Sequence, residues 1–343
     1  MKQKILFFSI MVSFFITFIV SAPNASFATK YAGEFLSLGV GGRALGMGGA
    51  YVAMKHDATL AYWNPAGLGA FQSQELALMH SERFGDLVNY DYIGFSRPFD
   101  KSGKSAIAVT LIRLGVDDIP FTEELDLIEP NESTRNGELD APGEYVIYDE
   151  DKIIWESDSE TALFFSYGHR MDDQLSVGGS LKLVRKSIGE YNANGFGFDL
   201  GMQYQATDHL TIGANIQDAT TTLLLWNKGG ERESISPTIK TGVAWIKNIG
   251  FFSGRISATF DVDTRFEGRD KAGSQYTAGT VSFDTHFGFE YFYRNALSLR
   301  FGPSAGDLSA GAGFIIDKLR FDYAFIGHND LGDTHRVSGS IRF

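Results

Sequence analysis

No cysteine occurs in the 343 residues, which excludes a disulfide framework, a thiolate metal site and a thiol-linked lipid anchor. Excess positive charge is absent too: the formal net charge is −12, which excludes nucleic acid as a partner. Beyond Val20 no run of 18 apolar residues exists, so a membrane-embedded form of this chain has to be a closed barrel rather than a helical bundle. Proline is scarce at 8 residues, which leaves long stretches free to pair as strands. The seven histidines are scattered with no H-x-x-x-H or H-E-x-x-H spacing, so neither a metal site nor a cofactor is expected. His286, flanked by Ser282 and Asp284 on one strand face, comes nearest to a catalytic arrangement. Nothing orients it toward a nucleophile, so it reads as part of a polar network and the chain as a non-enzyme.

The chain opens with Lys2 and Lys4, an uncharged run from Ile5 to Val20, and the small-residue stretch Ser21 to Ala28. This is the pattern of an export signal over 1–28, with cleavage expected after Ala28 and Ala22 as the alternative. The mean hydropathy of −0.10 is too polar for helical spans and ordinary for a barrel, in which only alternate residues face lipid.

Residues 29–72 form a distinct segment. From Gly33 to Gly69 it reads GEFLSLGVGGRALGMGGAYVAMKHDATLAYWNPAGLG. Its glycines permit tight turns and close backbone approach. Its large apolar groups, among them Phe35, Met47, Tyr51, Tyr62 and Trp63, are not those of a flexible linker. Asn64-Pro65-Ala66-Gly67 closes it with turn chemistry. Irregular backbone with a large apolar load suits a plug inside a barrel lumen, where polar partners exist at membrane depth. Arg43, Asp57, Tyr62, Trp63, Asn64 and Pro65 are the candidate plug residues, with Arg43 and Asp57 expected to pair with inward groups such as Asp322 or Arg300. Gly39-x-Gly41-x-x-Ala44 matches the dinucleotide fingerprint, but outside a βαβ unit that match has no physical meaning.

Gly39 to Ala44 (GVGGRA), Leu45 to Gly49 (LGMGG), Asp57-Ala58, Trp63 to Leu68 (WNPAGL) and the C-terminal DLGDTHRVSGSIRF resemble the PorV/PorQ family of outer-membrane proteins, relatives of the FadL-type transporters. That resemblance implies an outer-membrane barrel of a Gram-negative-type bacterium. It implies first a scaffold or carrier in type IX-like protein secretion, partnered by secretion-system proteins. The alternative it implies is a FadL-like passage for small hydrophobic molecules.

From residue 73 to 343 fourteen strand-like runs follow, beginning 73–83 and ending 334–343. Phe196, Phe198, Leu200, Met202 and Tyr204, for example, alternate with Gly197, Asp199, Gly201 and Gln203. The even-numbered connections are tight, as in Asp100-Lys101-Ser102-Gly103, and the long ones are odd-numbered, which is the loop parity of an outer-membrane barrel. The fold class predicted is therefore all-β: a transmembrane antiparallel barrel of about fourteen strands, with outer-membrane lipid as its surroundings. Residues 116–157 hold fourteen acids and two bases, a balance equal to the whole net charge, and are expected to form a large acidic extracellular loop. Inward positions carry both signs, Lys182, Arg300 and Arg320 against Asp199, Glu290 and Asp322, which predicts a filled lumen laced with ion pairs rather than an open pore. The terminal Phe343 closes an alternating strand and resembles the signal read by the barrel-assembly machinery.

Overall fold

The computed structural model describes residues 32–85, 87–121, 153–250, 253–269, 273–327 and 332–343. The export signal with its Ala28 cleavage point, and residues 122–152, lie outside these. Seventeen strands follow in chain order: β1 (Glu75–Arg83), β2 (Val88–Pro98), β3 (Ser105–Phe121), β4 (Ile154–Arg170), β5 (Leu175–Ile188), β6 (Tyr191–Gln205), β7 (Leu210–Gln217), β8 (Thr222–Trp226) and β9 (Arg232–Ile235). They continue with β10 (Thr238–Ile249), β11 (Gly254–Arg265), β12 (Tyr276–Ala278), β13 (Val281–Tyr293), β14 (Leu297–Ser304), β15 (Asp307–Ile316), β16 (Leu319–Gly327) and β17 (Thr334–Arg342).

Fourteen of them close a ring. Sequential neighbours pair antiparallel, β7 joins β10, β11 joins β13, and β17 returns to β1 from Glu75 opposite Arg342 to Glu82 opposite His335. The remaining three, β8, β9 and β12, belong to the long connections. β8 and β9 form a hairpin laid on the far end of β6, and β12 lies along β13. Closure leaves the wall without a free edge, which is the condition for strands at membrane depth. The chain is thus an all-β, fourteen-stranded antiparallel barrel.

Alternation along each strand sorts the side chains. Leu78, Ile93, Leu111, Phe165, Leu183, Phe198, Phe289, Leu299, Phe321 and Val337 stand exposed on the outer face. Their neighbours one residue away, such as Met79, Tyr92, Thr110, Phe164, Lys182, Asp199 and Glu290, are buried inside. One end of the barrel carries the short turns 99–104, 171–174, 206–209, 250–253, 294–296 and 317–318. In the first of these the Asp100 carboxylate accepts from the backbone N–H of Lys104 and Ser105 and from the Ser102 and Ser105 hydroxyls. The short-turn end of such barrels is periplasmic.

The acidic stretch is shorter as a loop than 116–157. β3 runs on to Phe121 and β4 starts at Ile154, with Pro120 opposite Trp155 and a register shift between Val116 and Ile119. Strand pairing continues past the membrane because the ladder still satisfies the backbone there, while Asp117, Asp118 and Glu156 keep their carboxylates in water.

Candidate functional site in the barrel lumen

Residues 32–71 touch strands on every side of the ring, so they lie within it. Their backbone is more regular than glycine content predicts. Three short helices, α1 (Glu34–Ser37), α2 (Gly42–Gly46) and α3 (Leu60–Trp63), precede a 3-10 turn over Pro65–Ala70. Each is a turn or so in length, and the glycines fall mainly between or at the ends of these turns. Gly41 has φ 83° and Gly48 φ 63°, a region other residues reach with difficulty.

Glycine in the wall makes the close approach possible. A Cβ on Gly178 of β5 would lie 2.4 Å from the carbonyl carbon of Pro65, and one on Gly213 of β7 would lie 2.5 Å from the Val52 oxygen. On the opposite wall, a Cβ on Gly302 of β14 would lie 2.5 Å from the carbonyl carbon of Met47. Backbone therefore packs on backbone at these seats.

Asn64 is fully buried and acts as the cap of the 3-10 turn. Its side-chain oxygen accepts from Ala66 N–H at 3.1 Å. Its amide donates to the carbonyls of Val52 at 2.8 Å and Met202 at 3.1 Å, which ties the turn to the segment and to β6. Pro65 follows at the first position of the turn, where its missing N–H costs nothing. Tyr62 meets the wall ring of Phe164 edge-on at 6.4 Å. Trp63 turns into the segment itself: its indole N–H donates to the Val40 carbonyl at 3.0 Å, and its ring stands 5.0 Å from Tyr62 and 6.0 Å from Tyr51. A buried indole needs an acceptor, and the irregular backbone of the segment supplies it. The wall reaches Trp63 through the Lys240 ammonium, 6.0 Å over the ring, and through Asn215, which donates to its carbonyl at 3.0 Å.

Six charged groups form a closed cycle. Arg43 makes a fork to Glu290, at 2.9 and 2.7 Å. Glu290 also takes Arg300 Nε at 2.8 Å; Arg300 reaches Asp322 at 2.9 Å; Asp322 takes Arg320 at 2.7 Å. Arg320 lies 3.8 Å from Asp57, and Asp57 lies 3.6 Å from Arg43. The expected partners of Arg43 and Asp57 were Asp322 and Arg300. Both belong to the cycle but stand directly across it, Asp322 from Arg43 and Arg300 from Asp57; Glu290 and Arg320 make the direct wall contacts. Asp57 is held further by the Tyr51 hydroxyl at 2.8 Å and the Thr59 hydroxyl at 2.7 Å. Asp261 of β11 receives the N–H groups of Tyr51 and Val52 at 2.6 and 2.8 Å.

Other lumen charges pair along the wall. Lys182 bridges Asp199 at 3.0 Å and Asp218 at 2.8 Å, Lys240 meets Asp263, and Arg265 meets Asp284. His286 faces the Gly48 carbonyl and the Ser304 hydroxyl, each at 3.0 Å, and Asp263 at 3.5 Å; Ser282 is not among its partners. Among the described residues no group of His, Asp and Glu is placed to hold a metal. Phe343 stands exposed at the short-turn end, its N–H donating to the Gln74 carbonyl at 2.9 Å.

The two ends of the lumen differ. Toward the long connections, Phe35 and Leu36 lie in an apolar cluster with Ile112, Phe164, Val184, Leu224 and Ile235, and the same cluster runs through the segment as far as Met54. Toward the short turns, the segment's tip at Met54, Lys55 and His56 floors a cavity of about 750 Å³ rimmed by the β6–β7 turn and the ends of β10, β11 and β17.

This architecture has counterparts among solved structures. The Pseudomonas putida toluene transporter TodX aligns with a TM-score of 0.60 at 13% identity, over 89% of this chain and 99% of that one. The Ralstonia pickettii toluene transporter TbuX aligns with a TM-score of 0.54 at 14% identity, over 89% and 98%. A Pseudomonas aeruginosa FadL homologue aligns with a TM-score of 0.51 at 12% identity, over 88% and 96%. The fold is that of the FadL-like outer-membrane barrels. Residues 15–112 match the model of an uncharacterised protein family, UPF0164, under a third of the chain. No curated protein resembles the chain closely enough to count as a relative.

Several lumen features escaped the sequence reading: the wall glycines, the hydroxyl of Tyr51 as a partner of Asp57, and Lys55 in the short-turn cavity. The glycines carried a signal, since Gly178, Gly201, Gly213 and Gly288 all fall on inward positions of alternating strands.

Proposed function

We propose that this protein is an outer-membrane passage for small hydrophobic compounds, closed at rest by residues 32–71 acting as a plug. The observation that carries the reading is the apolar cluster at the loop end of the lumen, into which the plug inserts Phe35 and Leu36. Displacing the start of the plug uncovers an apolar lining suited to a nonpolar guest. That start is also its least anchored part: α1 has four residues and no side-chain cap, and Glu34 reaches Arg269 at 3.1 Å through a half-exposed carboxylate. Similarity of fold to the toluene transporters supports the same direction. The secretion role implied by resemblance to PorV/PorQ gains no such support, so the hydrophobic-compound alternative takes its place.

A cross-link tests it. A Cβ on Gly33 would lie 2.6 Å from Ile235 Cγ2, and the chain has no native cysteine to interfere. A Gly33→Cys/Ile235→Cys variant, oxidised in the outer membrane, should lose uptake of radiolabelled toluene and regain it with reductant. Uptake indifferent to the cross-link, or no faster than in cells lacking the protein, would refute the reading.

A further inference from the structure

The cavity at the short-turn end has a charge that the rest of the chain does not share. Outside the acidic stretch 116–157 the sequence is balanced, with 28 bases and 28 acids. Around this one cavity stand six Lys and Arg side chains and two histidines, against only Asp208 and Glu290. Glu290 is already taken by the fork of Arg43 and by Arg300. Arg342 and Arg320 are neutralised by Glu75 and Asp322.

Three cations remain. Among the described residues no acid pairs with Lys55, Lys247 or Arg255. Lys55 donates only to the neutral amide of Gln205. Arg255 lies 5.0 Å over the Phe292 ring, with its buried Nε lacking a partner. At His56, burial first and then the nearby Lys55, Arg43, Arg342 and Arg255 disfavour the imidazolium and hold the group below the ordinary histidine range. His56 also takes φ 61°, an uncommon conformation for a residue with a side chain.

We propose that this mouth is a binding site for a phosphate-class oxyanion, held by Lys55 and Arg255 with Lys247 at its rim. Three cations against the one carboxylate of Asp208 leave a surplus that matches a doubly charged group. Arginine's planar fork and lysine's point charge are the two side chains that suit phosphate oxygens. The site lies inside the ring, so its ligand arrives from the periplasm or along the lumen and not from the surrounding lipid. It is independent of the apolar end of the lumen, and an anion here would fasten the tip of residues 54–56 to β6, β10 and β11.

The test uses the full mature chain in an uncharged detergent. Inorganic phosphate, glycerol 3-phosphate and octanoate are titrated by calorimetry at equal ionic strength, while the ring signal of His56, assigned by its loss in His56→Gln, is followed against pH. Both phosphates should bind saturably, and either should raise the midpoint of His56, since a bound anion favours the imidazolium. Loss of one charged contact should weaken binding roughly ten- to hundredfold in Lys55→Gln and in Arg255→Gln. Asn248 is exposed, lines the same cavity from the inward face of β10 and pairs with Arg255, so Asn248→Glu leaves folding intact and should weaken phosphate by at least about tenfold. Absence of saturable phosphate binding, or binding unchanged in Asn248→Glu, would overturn the site. Octanoate bound as tightly as phosphate would overturn the ligand class, and equal binding of both phosphates would assign the site to the phosphate group itself and not to an ester.

Discussion

Arg43→Ala should release the luminal segment by a measurable factor. Arg43 is buried and contributes two short bonds to Glu290 and a longer contact to Asp57. Stranding a buried charge typically costs ~3–5 kcal/mol. Here neither acid is fully stranded, because Glu290 keeps Arg300 at 2.8 Å and Asp57 keeps Arg320 at 3.8 Å along with Tyr51 and Thr59. The loss should therefore fall at the lower end, about 3 kcal/mol, which corresponds to about a hundredfold larger open population. The assay is the labelling rate of a single introduced thiol, Met47→Cys, by a bulky impermeant reagent. Met47 is fully buried and the chain has no other cysteine, so the rate reports opening of the segment alone. In Arg43→Ala that rate should rise about a hundredfold when reclosure outpaces labelling. A rate within threefold or so of the parent, well below that factor, would show that Arg43 does not hold the segment. Immediate full labelling in the parent would show that the segment is not enclosed at all.

Two further outcomes follow from the same geometry. Gly178→Val places a side chain where the Pro65 carbonyl carbon lies 2.4 Å away from a Cβ, so the 3-10 turn loses its seat; the barrel should still migrate as a folded, heat-modifiable species while limited proteolysis cuts between residues 32 and 71, and an uncut segment would contradict the seating. Deleting Phe343, which is largely exposed and makes one backbone bond, should lower the amount of folded protein in the membrane without shifting its unfolding temperature; equal yield would dismiss its role in assembly.

The barrel was legible in the sequence because a wall strand with lipid on one side and a packed lumen on the other must alternate, and because turns on the two sides of a membrane differ in length. All fourteen runs from 73–83 to 334–343 coincide with wall strands, within about four residues at each end except for β3, which runs six residues into the expected loop. The hairpin of β8 and β9 was not legible: Thr222 to Trp226 is too short to separate from a loop, and its pairing with β6 depends on β7 ending at Gln217. The lumen was readable only in kind. Alternation placed Glu290, Arg300, Arg320 and Asp322 on the inner face, but which of them meets Arg43 depends on how the segment folds, and periodicity says nothing of that. Trp63 turned inward for the same reason, since its acceptor at Val40 comes from irregular backbone.

The cycle of six charges divides unevenly between the moving part and the fixed one. Glu290, Arg300, Asp322 and Arg320 belong to the wall and are already linked in that order; Arg43 and Asp57 belong to the segment and face each other at 3.6 Å. Each group sums to zero. The two can part without either carrying away a net charge, so opening breaks the Arg43–Glu290 fork but leaves no lone lumen ion behind. The pair Arg43 and Asp57 therefore moves as a neutral unit, and its displacement should respond weakly to transmembrane voltage.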